Sequence, residues 1–204
     1  MTHSINLIFP IPFLHNTFPR PLNESELSVV KKHKTLLIEN AGNARSISMD
    51  VLKSEPTFNE ILSFIESNIK LYVDKVIQPA PDLEFYITQS WLNYTEHGGY
   101  HHHHNHPNSI ISGVFYLSSD KSLDSIVFHR PDHKQIMIVP KQFNTITSSS
   151  WKVPFGTGDI FLFPSDLTHN VDRVVGRDTR ISLAFNVFAK GQFGTDGSSS
   201  KLML

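Results

Sequence analysis

Apolar residues recur at helical spacing in the first third of the chain. Asn23, followed three residues later by Glu26, forms a capping-box pattern ahead of an apolar run. Thr57 and Glu60 repeat this pattern directly after Pro56. Behind the second box, apolar side chains return every three or four residues, at Phe58, Ile61, Leu62, Ile65, Ile69, Tyr72 and Val76. The pattern therefore predicts two helices, the second of which begins at Thr57.

From Leu83 onward the pattern changes to short β-rich runs separated by Gly, Pro, Asn, Asp and Ser. The runs cover residues 85–94, 110–117, 126–128, 136–139, 159–163 and 180–188. Many short strands indicate a barrel or a sandwich. Because the helices precede the strands, we expect an antiparallel β-structure that buries one sheet face against the helices and encloses a site with the other.

The length and composition of the chain are those of one compact domain. Its 204 residues, 39% of them hydrophobic, suffice to bury a full core. We expect residues 1–82 to form mainly helical support, residues 83–190 the β-structured core, and the Gly/Ser-rich residues 191–204 a flexible tail. With 18 Lys and Arg against 19 Asp and Glu, no global field would draw the protein to nucleic acid or to a membrane surface.

No segment has the pattern of a signal peptide or of a membrane span. Pro10 and Pro12 interrupt the apolar run near the N-terminus, and no basic segment precedes it. No stretch approaches the ~18 consecutive apolar residues of a spanning helix. A cytoplasmic protein is therefore expected.

Histidine is the metal-binding residue type in which the chain is rich. There are 12 histidines and no cysteine, so a metal ion would be held by nitrogen and oxygen ligands. Five histidines lie between residues 101 and 106, and residues two apart in a strand share one face. Three pairs have this spacing: His101 with His103, His102 with His104, and His104 with His106. Spacing does not choose among them, although His104 and His106 lie nearest to the following strand and Pro107 can turn the chain after them.

Two residues further along the chain could complete a site. His169 follows the apolar run 159–163 and a Pro-Ser turn, and it could join a histidine pair to make a three-ligand face with open positions. Arg180 begins the last run, where alternation places Ser182, Ala184 and Asn186 on its face. If that face looks into the barrel, Arg180 would offer a planar fork for bidentate capture of a carboxylate.

Five segments in a fixed order span nearly the whole chain. They are Phe9-Pro10-Ile11-Pro12, Ser90-Trp91-Leu92-Asn93, His104-Asn105-His106-Pro107 through Ser112-Gly113-Val114-Phe115-Tyr116-Leu117, Phe163-Pro164-Ser165 to His169, and Arg180-Ile181-Ser182 to Phe185-Asn186. In these segments the chain resembles the 2-oxoglutarate/Fe(II)-dependent oxygenases, especially a group with a His-x-His…His motif found in bacteria and marine phages. The resemblance implies a mainly β fold with supporting helices, the double-stranded β-helix, a cupin-like jelly-roll.

The resemblance also assigns roles to residues. It implies that His104, His106 and His169 are the catalytic iron ligands and that Arg180 holds the distal carboxylate of 2-oxoglutarate with help from Ser182. Tyr116 and Asn93 would flank the cosubstrate.

The implied reaction consumes O₂ and 2-oxoglutarate, releases succinate and CO₂, and hydroxylates a C–H bond of a small-molecule or peptide substrate. Most of the superfamily has a carboxylate where this chain has His106.

Two alternatives fit parts of the pattern. A cupin also binds metal through His-x-His and a later histidine, but Ile110 and Ile111 stand where its glutamate is expected, and a cupin does not need Arg180. A non-catalytic phage or structural protein would bind metal incidentally and would leave Arg180 exposed at a strand end.

Packing is the expected role of most of the aromatic residues Phe115, Phe128, Phe161 and Phe163.

Overall fold

The computed structural model describes residues 2–79, 83–131, 136 and 138–204. Its first part combines short strands with helices. In chain order these are β1 (Leu14–Thr17), α1 (Glu24–Lys34), β2 (Leu37–Asn40), β3 (Asn43–Ser46), α2 (Val51–Ser54), a 3₁₀ turn (Pro56–Phe58), α3 (Asn59–Tyr72) and a π-helical turn (Val73–Ile77).

The regular secondary structure in the rest of the described chain is β. Its strands are β4 (Glu84–Thr95), β5 (His101–His104), β6 (Ile111–Ser118), β7 (Ser125–His129), β8 (Ser150–Pro154), β9 (Asp159–Pro164), β10 (His169–Val171), β11 (Arg180–Lys190), β12 (Gln192–Phe193) and β13 (Leu202–Met203). No helix in the described ranges is long and apolar enough to cross a membrane.

Two antiparallel sheets make up the core of the fold. The large sheet has the order β1-β9-β6-β11-β4-β3-β2, and the small sheet has the order β5-β10-β7-β8. Apolar side chains from both sheets and their connections pack together between them: Tyr116, Ile126, Phe128, Phe155, Phe161, Phe163, Leu167 and Val171. This arrangement confirms the expected double-stranded β-helix.

The helices cover the outer face of the large sheet. Ile61, Ile65 and Ile69 of α3 belong to one buried cluster with Leu183 and Phe185 of β11. The neighbouring residues Arg180, Ser182 and Ala184 line a cavity on the opposite face. The alternation predicted along β11 is therefore confirmed, and it places a polar strip on the inner side of the sandwich.

The first predicted helix start is confirmed and the second is wrong. The Asn23 side chain accepts from the Glu26 backbone N–H at 2.9 Å, and Glu26 Oε2 accepts from the Asn23 N–H at 2.7 Å. Thr57, in contrast, lies inside the 3₁₀ turn, and α3 begins at Asn59 without a side-chain cap. Pro56 explains the difference, because its fixed φ suits the first position of a helical turn and so starts the turn one residue before Thr57.

Five of the six predicted runs are strands, with bounds that differ by at most two residues. In the run 136–139, Ile136, Ile138 and Val139 are exposed and lie outside any strand, and residue 137 lies outside the described residues. The place beside β7 is taken by β8, from the more polar segment Ser150–Pro154. A β-rich composition therefore did not suffice to make an edge strand.

Strands also occur where none was predicted. The N-terminal segment contributes β1 to one edge of the large sheet and β2 and β3 to the other. The last residues fold back on themselves, since β12 pairs with β13 and the backbone N–H of Gly191 donates to the Leu204 carbonyl at 2.9 Å.

Candidate metal and cosubstrate site

Three histidines meet where two strands of the small sheet end. His104 is the last residue of β5, and its antiparallel partner His169 is the first residue of β10. His106 lies just beyond β5, where its backbone N–H donates to the Ser165 carbonyl at 2.9 Å. One ring nitrogen from each histidine lies within 4.8 Å of the others. The three side chains can therefore converge on one cation.

Backbone carbonyls orient two of the three rings. His104 Nδ1 lies 2.7 Å from the His102 carbonyl oxygen, and His169 Nδ1 lies 3.0 Å from the Leu167 carbonyl oxygen. A carbonyl can only accept, so each Nδ1 must be the protonated nitrogen. The Nε2 lone pairs are thereby left for a metal ion, which is the usual arrangement of metal-binding histidine.

Burial keeps the three imidazoles neutral. It lowers the pKa of His106 to about 4 and that of His169 to about 3, and it also lowers the pKa of His104. Neighbouring histidines lower the pKa values of His106 and His169 further. Metal binding requires neutral imidazole, so the rings need no deprotonation near pH 7.

The remaining histidines of the cluster take other positions. His101 stacks on His104 with ring centroids 4.4 Å apart, and burial lowers its pKa to about 2. His103 is exposed and lies beside His129, with ring centroids 4.2 Å apart. Among the described residues, the group of three ligands that can hold a metal contains the pair His104 and His106, so the geometry favours this pair over the two alternatives.

A cavity between the sheets joins the three histidines to Arg180. Its lining includes Asn93, Tyr116 and Ser182, so the structure brings together every site residue named from the sequence. Of the four aromatic residues considered, Phe163 lines this cavity. Phe115 packs on the helix side of the large sheet, and Phe128 and Phe161 pack between the sheets.

Arg180 is buried, which contradicts the exposed arginine expected of a non-catalytic protein. Only 4% of its surface is exposed. Its Nη1 donates to Asp124 Oδ1 at 3.0 Å and to the Asp172 carbonyl at 2.8 Å. Its Nη2 is buried and has no hydrogen-bond partner in the described part of the chain. The guanidinium was expected to bind a carboxylate through two of its nitrogens. In the structure Nη1 is hydrogen-bonded within the protein, so Nη2 is the terminal nitrogen that can bind a ligand.

Two more polar atoms in this cavity lack partners. The Tyr116 hydroxyl and Asn93 Oδ1 are buried without a hydrogen bond to any described residue. A buried polar atom without a partner is costly, so such atoms occur mostly where a ligand, an ion or water completes them. A carboxylate would accept from both Arg180 Nη2 and the Tyr116 hydroxyl, so these two donors fit 2-oxoglutarate, whereas Asn93 Oδ1 is itself an acceptor and needs a donor.

Asp124 was not identified from the sequence. It lies in the turn before β7 and is 6% exposed. No spacing rule connects it to Arg180, which starts β11 in the other sheet. A single aspartate in a polar turn has the pattern of a surface residue, and only the packing of the two sheets reveals its contact.

A larger cleft lies near His169, and it shares Phe128 and Leu167 with the surroundings of that histidine. It has a volume of about 490 Å³ and is lined by apolar residues of the segment 7–13 together with Phe128, Trp151 and Leu167. The Phe128 ring lies 6.3 Å from the His169 ring, and the Leu167 carbonyl is the partner of His169 Nδ1. Its volume is within the range of small-molecule sites.

Comparison with known proteins identifies a family model that matches this part of the chain. Residues 89–186 match the family model described as "Putative 2OG-Fe(II) oxygenase". No curated protein matches the chain in sequence. The match confirms the family resemblance, the enzyme class and the expected iron, cosubstrate and O₂ requirement.

Solved structures share the fold at low sequence identity. A Pseudomonas putida prolyl-4-hydroxylase is 12% identical, with a TM-score of 0.58 over 89% of this chain and 94% of that chain. HygX from Streptomyces hygroscopicus, solved with nickel, 2-oxoglutarate and hygromycin B, is 15% identical, with a TM-score of 0.57 over 87% and 82%. The epimerase SnoN from nogalamycin biosynthesis is 10% identical, with a TM-score of 0.60 over 93% and 83%.

Proposed function

We infer that this chain works as a 2-oxoglutarate- and Fe(II)-dependent oxygenase, the class that its family match identifies, and we propose that it hydroxylates a C–H bond of its prime substrate with release of succinate and CO₂. One observation supports the proposal above all others. A buried arginine, whose Nη2 has no hydrogen-bond partner among the described residues, shares one cavity with three convergent histidines. A cupin or an incidental metal site could use the ion pair of that arginine with Asp124, but it does not need the unpartnered Nη2.

His104, His106 and His169 are the proposed iron ligands. In His104 and His169 a backbone carbonyl accepts from Nδ1, so in these two residues Nε2 would face the ion. Bound Fe(II) supplies the redox chemistry that couples decarboxylation of 2-oxoglutarate by O₂ to oxidation of the prime substrate. Three neutral imidazoles leave the cation's full charge available to an anionic chelator.

Arg180 and Tyr116 are the proposed partners of the distal carboxylate of 2-oxoglutarate. Arg180 Nη2 and the Tyr116 hydroxyl would donate to it, and Ser182 and Asn93, which line the same cavity, would flank the cosubstrate. The cavity measures about 40 Å³, so lining side chains must shift when a five-carbon dicarboxylate enters. Phe163 and Val114 of the lining would keep water from the reacting atoms.

We propose a small molecule or a peptide as the prime substrate. The apolar cleft beside His169 supports a substrate with an apolar part. A single domain and a cytoplasmic location stay predictions.

The test is turnover of the cosubstrate by the purified chain. With Fe(II), O₂ and 2-oxoglutarate but no prime substrate, slow formation of succinate is expected, measured by proton NMR. H104A is the control and should form none, because one proposed ligand is lost. Undetectable binding of 2-oxoglutarate by the iron-loaded wild type would overturn the proposal.

A further inference from the structure

Asp124 and Asp172, which lie at the ends of strands of the small sheet, both accept hydrogen bonds from Nη1 of Arg180, which lies in the large sheet. Asp124 directly precedes β7 and Asp172 directly follows β10, which are neighbours in the small sheet, whereas Arg180 begins β11 in the large sheet. Arg180 Nη1 donates to Asp124 Oδ1 at 3.0 Å and to the Asp172 carbonyl at 2.8 Å. The arginine therefore bridges the two sheets at one end of the cavity.

The carboxylate of Asp124 is itself fixed. Its Oδ2 accepts from the Asp120 backbone N–H at 2.9 Å, so its Oδ1 is left for Arg180. Two acceptors on Nη1 fix the direction of the planar guanidinium, and they thereby fix where Nη2 points. The ion pair is almost completely buried, with side-chain exposures of 4% for Arg180 and 7% for Asp124. A pair so buried keeps its geometry better than an exposed one, because water does not compete for the donors.

We propose that Asp124 is a positioning residue for 2-oxoglutarate: by holding Nη1 of Arg180, it presents Nη2 to the distal carboxylate of the cosubstrate. Asp124 does not touch the cosubstrate. It also balances the charge of the buried arginine while the cavity contains no anion, since an unpaired buried cation is destabilising. The inference rests on the proposed role of Arg180 in binding 2-oxoglutarate.

The experiment measures the binding of two keto acids by calorimetry. The Fe(II)-loaded chain is titrated without O₂, first with 2-oxoglutarate and then with 2-oxopentanoate, which has the same carbon chain but no distal carboxylate. D124A removes both acceptor oxygens, whereas D124N keeps one oxygen that can accept from Arg180 but places an amide nitrogen beside the Asp120 N–H. E26Q is the matched control, because Glu26 is also a buried carboxylate paired with an arginine, Arg20, but lies on α1 away from the cavity.

Loss of one charge-assisted hydrogen bond predicts that D124A weakens 2-oxoglutarate binding by at least about tenfold, while E26Q stays within about threefold. D124N, which keeps one of the two acceptor oxygens, should lie between D124A and the wild type. The affinity for 2-oxopentanoate should be unchanged in all variants. Unchanged affinity of D124A for 2-oxoglutarate would overturn the inference. So would an equal loss of both keto acids, because that result indicates a damaged metal site.

A second variant decides the question if D124A does not fold. R180K keeps the cation but has a single nitrogen, which Asp124 and the Asp172 carbonyl should capture. R180K is then expected to bind 2-oxoglutarate at least about tenfold more weakly than the wild type. If R180K bound 2-oxoglutarate as tightly as the wild type does, Nη1 and Nη2 could not have the separate roles proposed here, one toward Asp124 and one toward the cosubstrate. If the wild type itself binds neither keto acid, the proposed function is wrong. If the wild type binds 2-oxoglutarate and D124A binds it equally well, the proposed function stands and only the role of Asp124 is wrong.

Discussion

His104 and His169 face each other across neighbouring antiparallel strands, as register partners with ring centroids 4.3 Å apart. The pairing of β5 with β10 therefore sets the separation of two candidate ligands before any metal binds. His106 joins them from the turn after β5, with its ring centroid 5.3 Å from that of His169. Such a preformed face lowers the cost of ordering ligands around an ion.

Substitution of each of the three histidines should abolish tight metal binding. H104A, H106A and H169A are expected to weaken Fe(II) or Ni(II) binding by at least about a hundredfold, which is more than the loss of an outer hydrogen bond causes. Calorimetry without O₂ measures the effect. H103A, at an exposed position, is the control and should bind as the wild type does. If H102A alone lost the metal, the pair would instead be His102 and His104.

Removal of the Arg180 side chain should raise the requirement for the cosubstrate. R180L removes the donor Nη2, so the KM for 2-oxoglutarate in succinate formation should rise by about 10- to 100-fold. R177L changes an exposed arginine in the loop that precedes β11 and should leave the KM unchanged. Equal KM values for R180L and the wild type would exclude Arg180 from cosubstrate binding.

The Tyr116 hydroxyl should cost stability in the free protein and contribute to binding. It is buried without a partner in the described chain, whereas the Tyr94 hydroxyl donates to the Val30 carbonyl at 2.6 Å. Y116F is therefore expected to raise the free energy of unfolding of the ligand-free protein by about 1 kcal/mol and to weaken 2-oxoglutarate binding. Y94F should destabilise the protein instead. Urea unfolding measures both variants, and a destabilised Y116F would contradict this reading of the cavity.

The metal-free protein should lose stability as the pH falls. Burial lowers the pKa of His106 to about 4 and that of His169 to about 3, while both titrate near 6.5 when unfolded. Between about pH 6.5 and pH 4 the unfolded chain then binds more protons than the folded chain, so the free energy of unfolding falls with the pH.

Urea unfolding of the metal-free protein at about pH 7.5 and about pH 4.5 measures this loss. H169N, which removes one titrating ring, should show a smaller loss than the wild type. H103A changes an exposed ring and should show the wild-type loss. Equal losses in H169N and the wild type would show that the buried ring does not cause the effect.

A side chain at Gly113 should distort the centre of the large sheet. Gly113 of β6 lies opposite Phe185 of β11, and an added Cβ would overlap the Phe185 ring and lie 2.8 Å from Leu162 Cδ2. G113A is expected to destabilise the protein by about 1–3 kcal/mol, because a packed core resists added volume. At Gly176 the added atom would meet Leu123 Cδ1 at 3.4 Å, so G176A should have little effect. Thermal unfolding of both variants makes the comparison, and equal stability of G113A and the wild type would contradict the packing argument.

The sequence by itself determined the features that depend on neighbouring residues. The capping box of Asn23 and Glu26 forms within one helical turn, and the alternation along β11 follows from the geometry of one strand. His169 and Arg180 were candidates from their positions at strand ends, whereas the family resemblance chose His104 and His106 among the three possible histidine pairs. The structure brings these four residues to one cavity. Hydrogen bonds within one helical turn and the alternation of side chains along a strand depend only on residues close together in sequence.

Only the tertiary structure decided the features that depend on distant partners. The segment Ser150–Pro154 is a strand because it pairs with β7, whereas the described residues of the β-rich run 136–139 lie in no strand. The contact between Asp124 and Arg180 likewise exists only because the two sheets close over each other. Strand pairing and burial between residues far apart in sequence depend on how the whole chain packs. For this reason the contact of Arg180 with Asp124 could not be predicted from the sequence.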